Sequence, residues 1–162
     1  MIFVTIGNHD QEFSRLIKKL DSIASKIKEE IIIQKGHTKY ISKNCQSFAW
    51  DSSLAKYMKG ARLIITHAGI GTTLEILKIH KKPMIVVPRQ YQFNEHVNNH
   101  QVEFAKVLEK KHGVKVIYNI NDLTPEMLKK YNKKIILNDE GLKRIQSFLK
   151  YLINEISESN NK

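Results

Sequence analysis

The chain has 162 residues, a net charge of +11 and 41% hydrophobic residues, enough for one domain around a single sizeable core. Its one cysteine, Cys45, excludes a disulfide framework and points to a reducing compartment; among Lys43, Asn44 and Gln46 it reads as an inert thiol rather than a nucleophile. No apolar stretch approaches the ~20 residues that span a bilayer, and the opening MIFVTIG has neither a basic segment nor the length of a signal peptide, so a soluble or at most peripheral protein is expected.

In chain order, residues 2–6 form a short β-branched run ended by Gly7 and Asn8. From 12 to 28, apolar residues recur at Phe13, Leu16, Ile17, Leu20, Ile23, Ala24 and Ile27, the spacing of a helix. Residues 30–34 (EIIIQ) read as a buried strand stopped at Gly36, and 47–49 as another short strand. A short helix over 52–58, capped by Ser52 or Ser53 and ended by Gly60, leads to a strand over 62–66 and a helix over 71–79. Residues 84–87 make a strand closed by Pro88, 95–111 a helix ending at His112 and Gly113, and 114–118 the last strand. Helices over 121–131 and 140–156 finish the chain, the second amphipathic through Leu142, Ile145, Phe148, Leu149, Leu152 and Ile156.

This alternation of short apolar strands and helices predicts an α/β fold, a parallel sheet with helices on both faces. No linker rich in Pro, Gly or Ser and no internal repeat divides the chain, so residues 1–157 are expected as one domain and 158–162 as a frayed tail. The lysines are spread along helices and loops and form no compact arm. They read as a solvated surface, or as attraction to an acidic partner or phospholipid headgroups. Nucleic-acid binding is not expected, because there is no basic base-reading helix and no aromatic platform pattern.

Ligands of open parallel sheets bind outside the carboxyl ends of the strands, and three loops there carry unusual residues: 7–11, 67–73 and 88–101. In THAGIGTTLE (66–75), Gly69 and Gly71 permit close backbone approach, while Thr72 and Thr73 present hydroxyls at a helix start. The unpaired first-turn N–H groups there suit a phosphate or diphosphate, to which His67 could donate a hydrogen bond. The competing reading is that the glycines serve only tight strand-to-helix packing, with Thr72 as a cap. Glu75 also has two readings, as the acceptor of a capping box begun by Thr72 or as a carboxylate for a ribose diol. No G-x-G-x-x-G follows the first strand, so an ordinary dinucleotide site is not supported. The third loop gathers Arg89, Gln90, Glu95, His96, Asn99, His100 and Gln101. His96 and His100 have the i, i+4 spacing of a zinc pair but lack the glutamate of H-E-x-x-H, so no metal is expected. Polar groups converging on sugar hydroxyls, or a solvated helix start, account for this loop instead.

THAGIGTTLEILKIHKKPMIVVP resembles the signature of the nucleotide-binding half of B-fold (GT-B) glycosyltransferases, glycosyltransferase family 28 in particular. IFVTIGNHDQEFSRLIKKLD and PRQYQFNEHVNNHQVEFAKVL are similar to one subgroup of that family. These are single-domain subunits that act with a membrane-associated partner in exopolysaccharide, capsule or lipid-linked oligosaccharide assembly. The resemblance covers roughly residues 1–125. It implies a Rossmann-like domain equivalent to the C-terminal half of a GT-B enzyme. It also implies transfer of a hexose or N-acetylhexosamine from a UDP-sugar to a lipid-linked or polysaccharide acceptor, with inversion and without metal or cofactor.

On that resemblance, His67, Gly69, Gly71, Thr72 and Thr73 hold the diphosphate and Glu75 the ribose. Glu95 and His96 face the donor sugar, Asn99 and Gln101 belong to an N-H-Q motif, and Arg89 is counted with the donor-binding residues. Trp50 falls in the uracil-facing loop. Gly7, Asn8 and His9 line the cleft floor, His9 being the candidate general base; close relatives commonly read G-T-H there, so Asn8 replaces a threonine. The acceptor-binding half is expected from a membrane-associated partner subunit, which would make the protein cytoplasmic and peripheral at the inner face of the membrane. The alternative reading is a non-catalytic UDP-sugar-binding enhancer of a separate enzyme.

Overall fold

Strands rich in β-branched residues form the centre of the molecule. In the computed structural model, which describes residues 1–136 and Glu140, Gly141, Lys143, Ile145, Ser147, Phe148, Lys150 and Tyr151, six strands are seen: β1 (Ile2–Thr5), β2 (Ile31–Gln34), β3 (Gln46–Phe48), β4 (Leu63–Thr66), β5 (Met84–Val86) and β6 (Lys115–Val116). They form one sheet in the order β3-β2-β1-β4-β5-β6, every pair parallel, with Ile2 opposite both Ile31 and Leu63. β1 and β4 are buried along their whole length, which is why they read as continuous apolar runs and not as alternating ones.

The helices are α1 (Ser14–Ala24), α2 (Ala55–Gly60), α3 (Ile70–Glu75), α4 (His100–His112) and α5 (Pro125–Lys130). One face of the sheet buries Val4, Ile6, Ile33 and Ile65 against Phe13, Leu16, Leu20 and Leu128 of α1, its lead-in and α5. The other buries Phe3, Ile64 and Val86 against Met58, Ile76, Phe104 and Leu108, with Ile145 packed into the same cluster. Each such fully buried side chain contributes about 1.5–3 kcal/mol relative to leaving it exposed. The molecule is therefore an α/β, Rossmann-like parallel sheet covered on both faces, as the sequence pattern predicts.

Element boundaries depart from expectation where side chains compete for the backbone. The helix expected from 95 begins at His100, because Asn94 is left-handed (φ +56) and Asn98 Oδ1 accepts the His100 N–H (3.1 Å). The helix expected over 121–131 is a 3₁₀ turn (Ile120–Asp122) followed by α5, which Pro125 opens and Thr124 caps through the Met127 N–H. The helix expected over 71–79 starts one residue earlier and changes after Glu75 into a π-helical turn, Ile76–His80. In the last expected helix the described residues from Glu140 to Tyr151 are helical. Leu142, Leu149, Leu152, Ile156 and the 158–162 tail lie outside the described residues.

Candidate functional site

The strand order reverses between β1 and β4, and the crevice outside their carboxyl ends is the ligand-binding position of a doubly wound sheet. The loops leaving β1 (7–11) and β4 (67–69) meet there, and the loop after β5 closes beside them.

His67 is the keel of this meeting point. It is 6% exposed, and its Nδ1 lies 3.3 Å from the Thr5 carbonyl oxygen, so Nδ1 carries the proton and donates it. Burial first, then the positive charge of Arg89, push its pKa down to about 3, which keeps the ring neutral. The imidazole is wedged between Gly7 and Gly69, and a Cβ on either glycine would collide with it. Gly7, at φ +71, would also be strained as any other residue. Gly71 is different, because a Cβ there would meet nothing within 4 Å. Packing thus explains Gly69 but gives no reason for Gly71. A neutral ring whose N–H is engaged by Thr5 brings no donor to an anion, so the diphosphate-donor role expected for His67 is corrected to that of a spacer between two loops.

Gly69 is the N-cap of the helical stretch that follows, and no side chain caps it. Thr72 is its third residue, half-buried. Thr73 is fully buried with its hydroxyl unpartnered, so the expectation that it presents that hydroxyl to a ligand is corrected. Ala68 holds a left-handed conformation (φ +62), the kind of backbone strain that collects at functional sites. Between this turn and the start of α4 lies a cavity of ≈ 240 Å³, lined by Ala68, Gly69 and Ile70 on one side and by His96, Asn98, His100 and Gln101 on the other. Two helix starts, each with the positive end of its dipole, therefore border one space.

At the mouth of this region the rings of His9 and His96 lie 4.4 Å apart. Each accepts a backbone N–H at Nδ1, from Gln11 to His9 (3.2 Å) and from Asn98 to His96 (3.3 Å). In the neutral ring the proton is then on Nε2. Burial, with Arg89 acting next on His9 and with His9 and Arg89 acting next on His96, holds both below the ordinary 6.5. Two neutral imidazoles can lie together without repulsion, and both offer Nε2–H. A general base needs an open lone pair on its accessible nitrogen. In this geometry His9 stands as a hydrogen-bond donor, and a base role would require it to release the Gln11 N–H.

Arg89 and Glu95 are engaged by the protein itself. Arg89 is 1% exposed; Nη1 donates to the carbonyls of Gln11 (2.7 Å) and Glu95 (3.0 Å), and Nη2 to that of Ile6 (3.0 Å). The guanidinium packs over Phe13 at 4.9 Å. Burial lowers its pKa to about 10, which leaves it charged at neutral pH. Glu95 receives Arg15 Nε at Oε1 (2.8 Å) and Arg15 Nη2 and the Gln90 N–H at Oε2 (2.9 and 3.1 Å). Neither residue is open to a sugar, and both expectations of direct donor contact are corrected. Asn99 accepts the Tyr91 N–H and Gln101 the Arg89 N–H, each at 3.1 Å, so both brace the loop while Gln101 also lines the cavity.

Glu75 is not part of a capping box, since Thr72 lies inside the helix. Its Oε1 meets His80 Nε2 at 3.3 Å, and the carboxylate remains 40% exposed. Trp50, 48% exposed, stands edge-on to His37 at 4.9 Å, and His37 Nε2 lies 3.4 Å from Asp10 Oδ1. The loop after β3 is thereby tied to the loop after β1, in which Asn8 is exposed. Among the described residues no three His, Cys, Asp or Glu side chains form a metal-binding group.

Residues 1–151 match the glycosyltransferase family 28 C-terminal domain. The chain belongs to this family. It is similar to the UDP-N-acetylglucosamine transferase subunit ALG13 of Yarrowia lipolytica, with 39% identity over 64 residues covering 40% of this chain and 30% of that protein. It is also similar to the Homo sapiens protein of the same description, with 35% identity over 124 residues, 68% of this chain and 10% of the human one. The chain thus spans less than a third of either relative. Among solved structures, MurG of Acinetobacter baumannii superimposes with a TM-score of 0.53 at 21% identity, covering 78% of this chain and 39% of MurG. That likeness shows the fold, the C-terminal Rossmann-like half of a GT-B glycosyltransferase.

Within this family 28 domain the site is wider than sequence reasoning made it. Ala68, Ile70 and Asn98 line the cavity without having been singled out for it, and His100, gathered with the third loop but given no role, lines it too. His100 stood inside the N-H-Q motif, where helical spacing drew attention to its separation from His96 and away from its place at the helix start. Arg15 gave no signal, since a lone arginine on the polar face of an amphipathic helix does not disclose a partner 80 residues away.

Proposed function

We propose that this chain is the donor-binding subunit of a two-component inverting glycosyltransferase, which holds a UDP-sugar while a hexose or N-acetylhexosamine passes to a lipid-linked or polysaccharide acceptor. One observation carries the reading: the cavity between the turn after β4 and the start of α4, bordered by two helix starts, with room for a Cβ at neighbouring Gly71. Unpaired backbone N–H groups there suit a diphosphate, and the Nε2–H groups of His9 and His96 add uncharged donors at its edge. As the bond to the anomeric carbon breaks, negative charge grows on the leaving diphosphate, and donors fixed in advance stabilise it without reorganising. Gln101 and His100 are set for the sugar, Glu75 for the ribose diol, and Trp50 with His37 for the uracil end.

The base that deprotonates the acceptor hydroxyl, and the surface that binds the acceptor, are assigned to a membrane-associated partner. The description of the ALG13 relatives as subunits supports this. No helix among the described residues is long and apolar enough to cross a membrane; the partner would hold the chain peripherally at the cytoplasmic face. A second reading, a non-catalytic UDP-sugar-binding enhancer of a separate enzyme, draws on the engaged Nδ1 atoms of His9 and His96.

Calorimetry against UDP, UDP-glucose, UDP-galactose and UDP-N-acetylglucosamine tests the reading. Binding of uridine nucleotides is expected, with Glu75→Ala weakening it by about tenfold, the equivalent of ~1.4 kcal/mol. Absence of uridine-nucleotide binding with and without a partner subunit would overturn it. Transfer by the reconstituted pair that is abolished by variants of this chain's donor site separates the catalytic reading from the enhancer reading.

A further inference from the structure

The helix that carries Glu75 changes its winding right after that residue. From Ile76 to His80 the chain makes a π turn, the Lys81 N–H reaches back to the Ile76 carbonyl at 2.7 Å, and Lys81 closes the turn in the left-handed region (φ +49). In a regular α-helix residues five apart point about 140° away from each other. The wider winding of a π turn brings i and i+5 to the same side, and such turns recur at functional sites. The result here is the contact of His80 Nε2 with Glu75 Oε1 at 3.3 Å. His80 is 10% exposed and Glu75 40%, so the imidazole is held by the protein while the carboxylate looks outward.

We propose that His80 is a positioning residue for Glu75. Its Nε2–H donates to Oε1 and fixes the rotation of the carboxylate, leaving Oε2 and the second lone pair of Oε1 turned outward for the two hydroxyls of a ribose cis-diol. This rests on the reading of Glu75 as the ribose ligand. An exposed glutamate otherwise samples several rotamers and loses that freedom when it binds; a carboxylate already restrained binds the diol with less loss. His80 touches no ligand and acts only through Glu75, so its contribution depends on the diol being present. It makes the site more selective for ribonucleotides than Glu75 alone would be.

The test is calorimetry of the wild type, His80→Ala and His80→Gln with UDP and with 2′,3′-dideoxy-UDP, alongside thermal melts of each variant. The wild type is expected to prefer UDP. His80→Ala weakens UDP by about 3- to 10-fold, the range of one lost hydrogen bond, and leaves the dideoxy nucleotide within about twofold. His80→Gln, whose amide can donate from a similar position, recovers most of the UDP affinity. If His80→Ala does not fold, His80→Asn, too short to reach Oε1, takes its place with the same expectations. A wild type that prefers UDP while the His80 variants weaken both nucleotides equally, or neither, overturns the role of His80 and leaves the ribose reading standing. A wild type that does not distinguish the two nucleotides overturns the ribose reading and this inference with it.

Discussion

Arg15 and Glu95, 80 residues apart, meet as a two-pronged ion pair with N···O distances of 2.8 and 2.9 Å, and Glu95 is 3% exposed. The pair staples α1 to the loop after β5, and Phe93 covers the guanidinium at 4.7 Å. Removing one partner of a buried pair leaves an uncompensated charge, which costs about 3–5 kcal/mol. Glu95→Ala should lower the free energy of unfolding by about 3 kcal/mol in a urea titration, whether or not nucleotide is present. A change within about 0.5 kcal/mol, the ordinary range for surface substitutions, would mean that the pair is idle and the carboxylate open to a ligand after all.

The three glycines of the crevice should separate cleanly. Gly69→Ala drives a methyl group into the His67 ring, and its destabilisation should be largely relieved by His67→Ala. Gly7→Ala should remain costly in either background because the backbone is left-handed (φ +71). Gly71→Ala meets nothing in the protein and lies within a helix, so it should stabilise the fold by about 0.5–1 kcal/mol while weakening UDP. Thermal melts and calorimetry on the same five proteins read both effects. Gly71→Ala with unchanged UDP affinity would remove the diphosphate from that space.

Acid should loosen the fold through His67 well before the carboxyls titrate. Its ordinary value is 6.5 and its value in the fold about 3, so between those limits the unfolded chain binds a proton that the folded one refuses. The stability this represents is complete above about pH 6.5 and declines as the pH falls, by about 1.4 kcal/mol per unit. From pH 7 to 5 the loss should be about 2 kcal/mol. His9 and His96, also lowered, act in the same direction, less strongly because they are better solvated. Urea midpoints for wild type and His67→Gln across this range check it; the variant should show a distinctly flatter profile.

A donor role for His9 and a base role predict opposite results for glutamine. The amide of His9→Gln can present an N–H near the Nε2 position but cannot take up a proton. Transfer in the reconstituted enzyme should fall by no more than about tenfold, the weight of a single hydrogen bond. Loss of 10²- to 10⁴-fold, typical of a removed general base, would restore the base assignment.

The strands and their order of appearance were legible because β1, β2, β4 and β5 are short apolar runs bounded by Gly, Pro or polar turns. That the loops at their carboxyl ends form the candidate site followed from sheet topology alone. What sequence spacing concealed was competition for backbone groups. The run EHVNN looked like the start of a helix, yet Asn98 and Asn99 use their side chains on nearby N–H groups and Glu95 is drawn away to Arg15. Glu75 was legible as a residue with two possible partners. Its actual partner, His80, became visible only with the π turn, which no apolar periodicity announces. Arg89 was counted with the donor-binding residues; its burial rests on the carbonyls of Ile6 and Gln11, far away in sequence, and of Glu95, six residues on.

Those three carbonyls belong to Ile6, Gln11 and Glu95, so a single cation lies beneath both the loop after β1 and the loop after β5. A fluctuation that lifted either loop alone would strand a guanidinium against the Phe13 ring with its hydrogen bonds broken. The two loops must consequently rise together or stay down, and the floor they form behaves as one stiff plate.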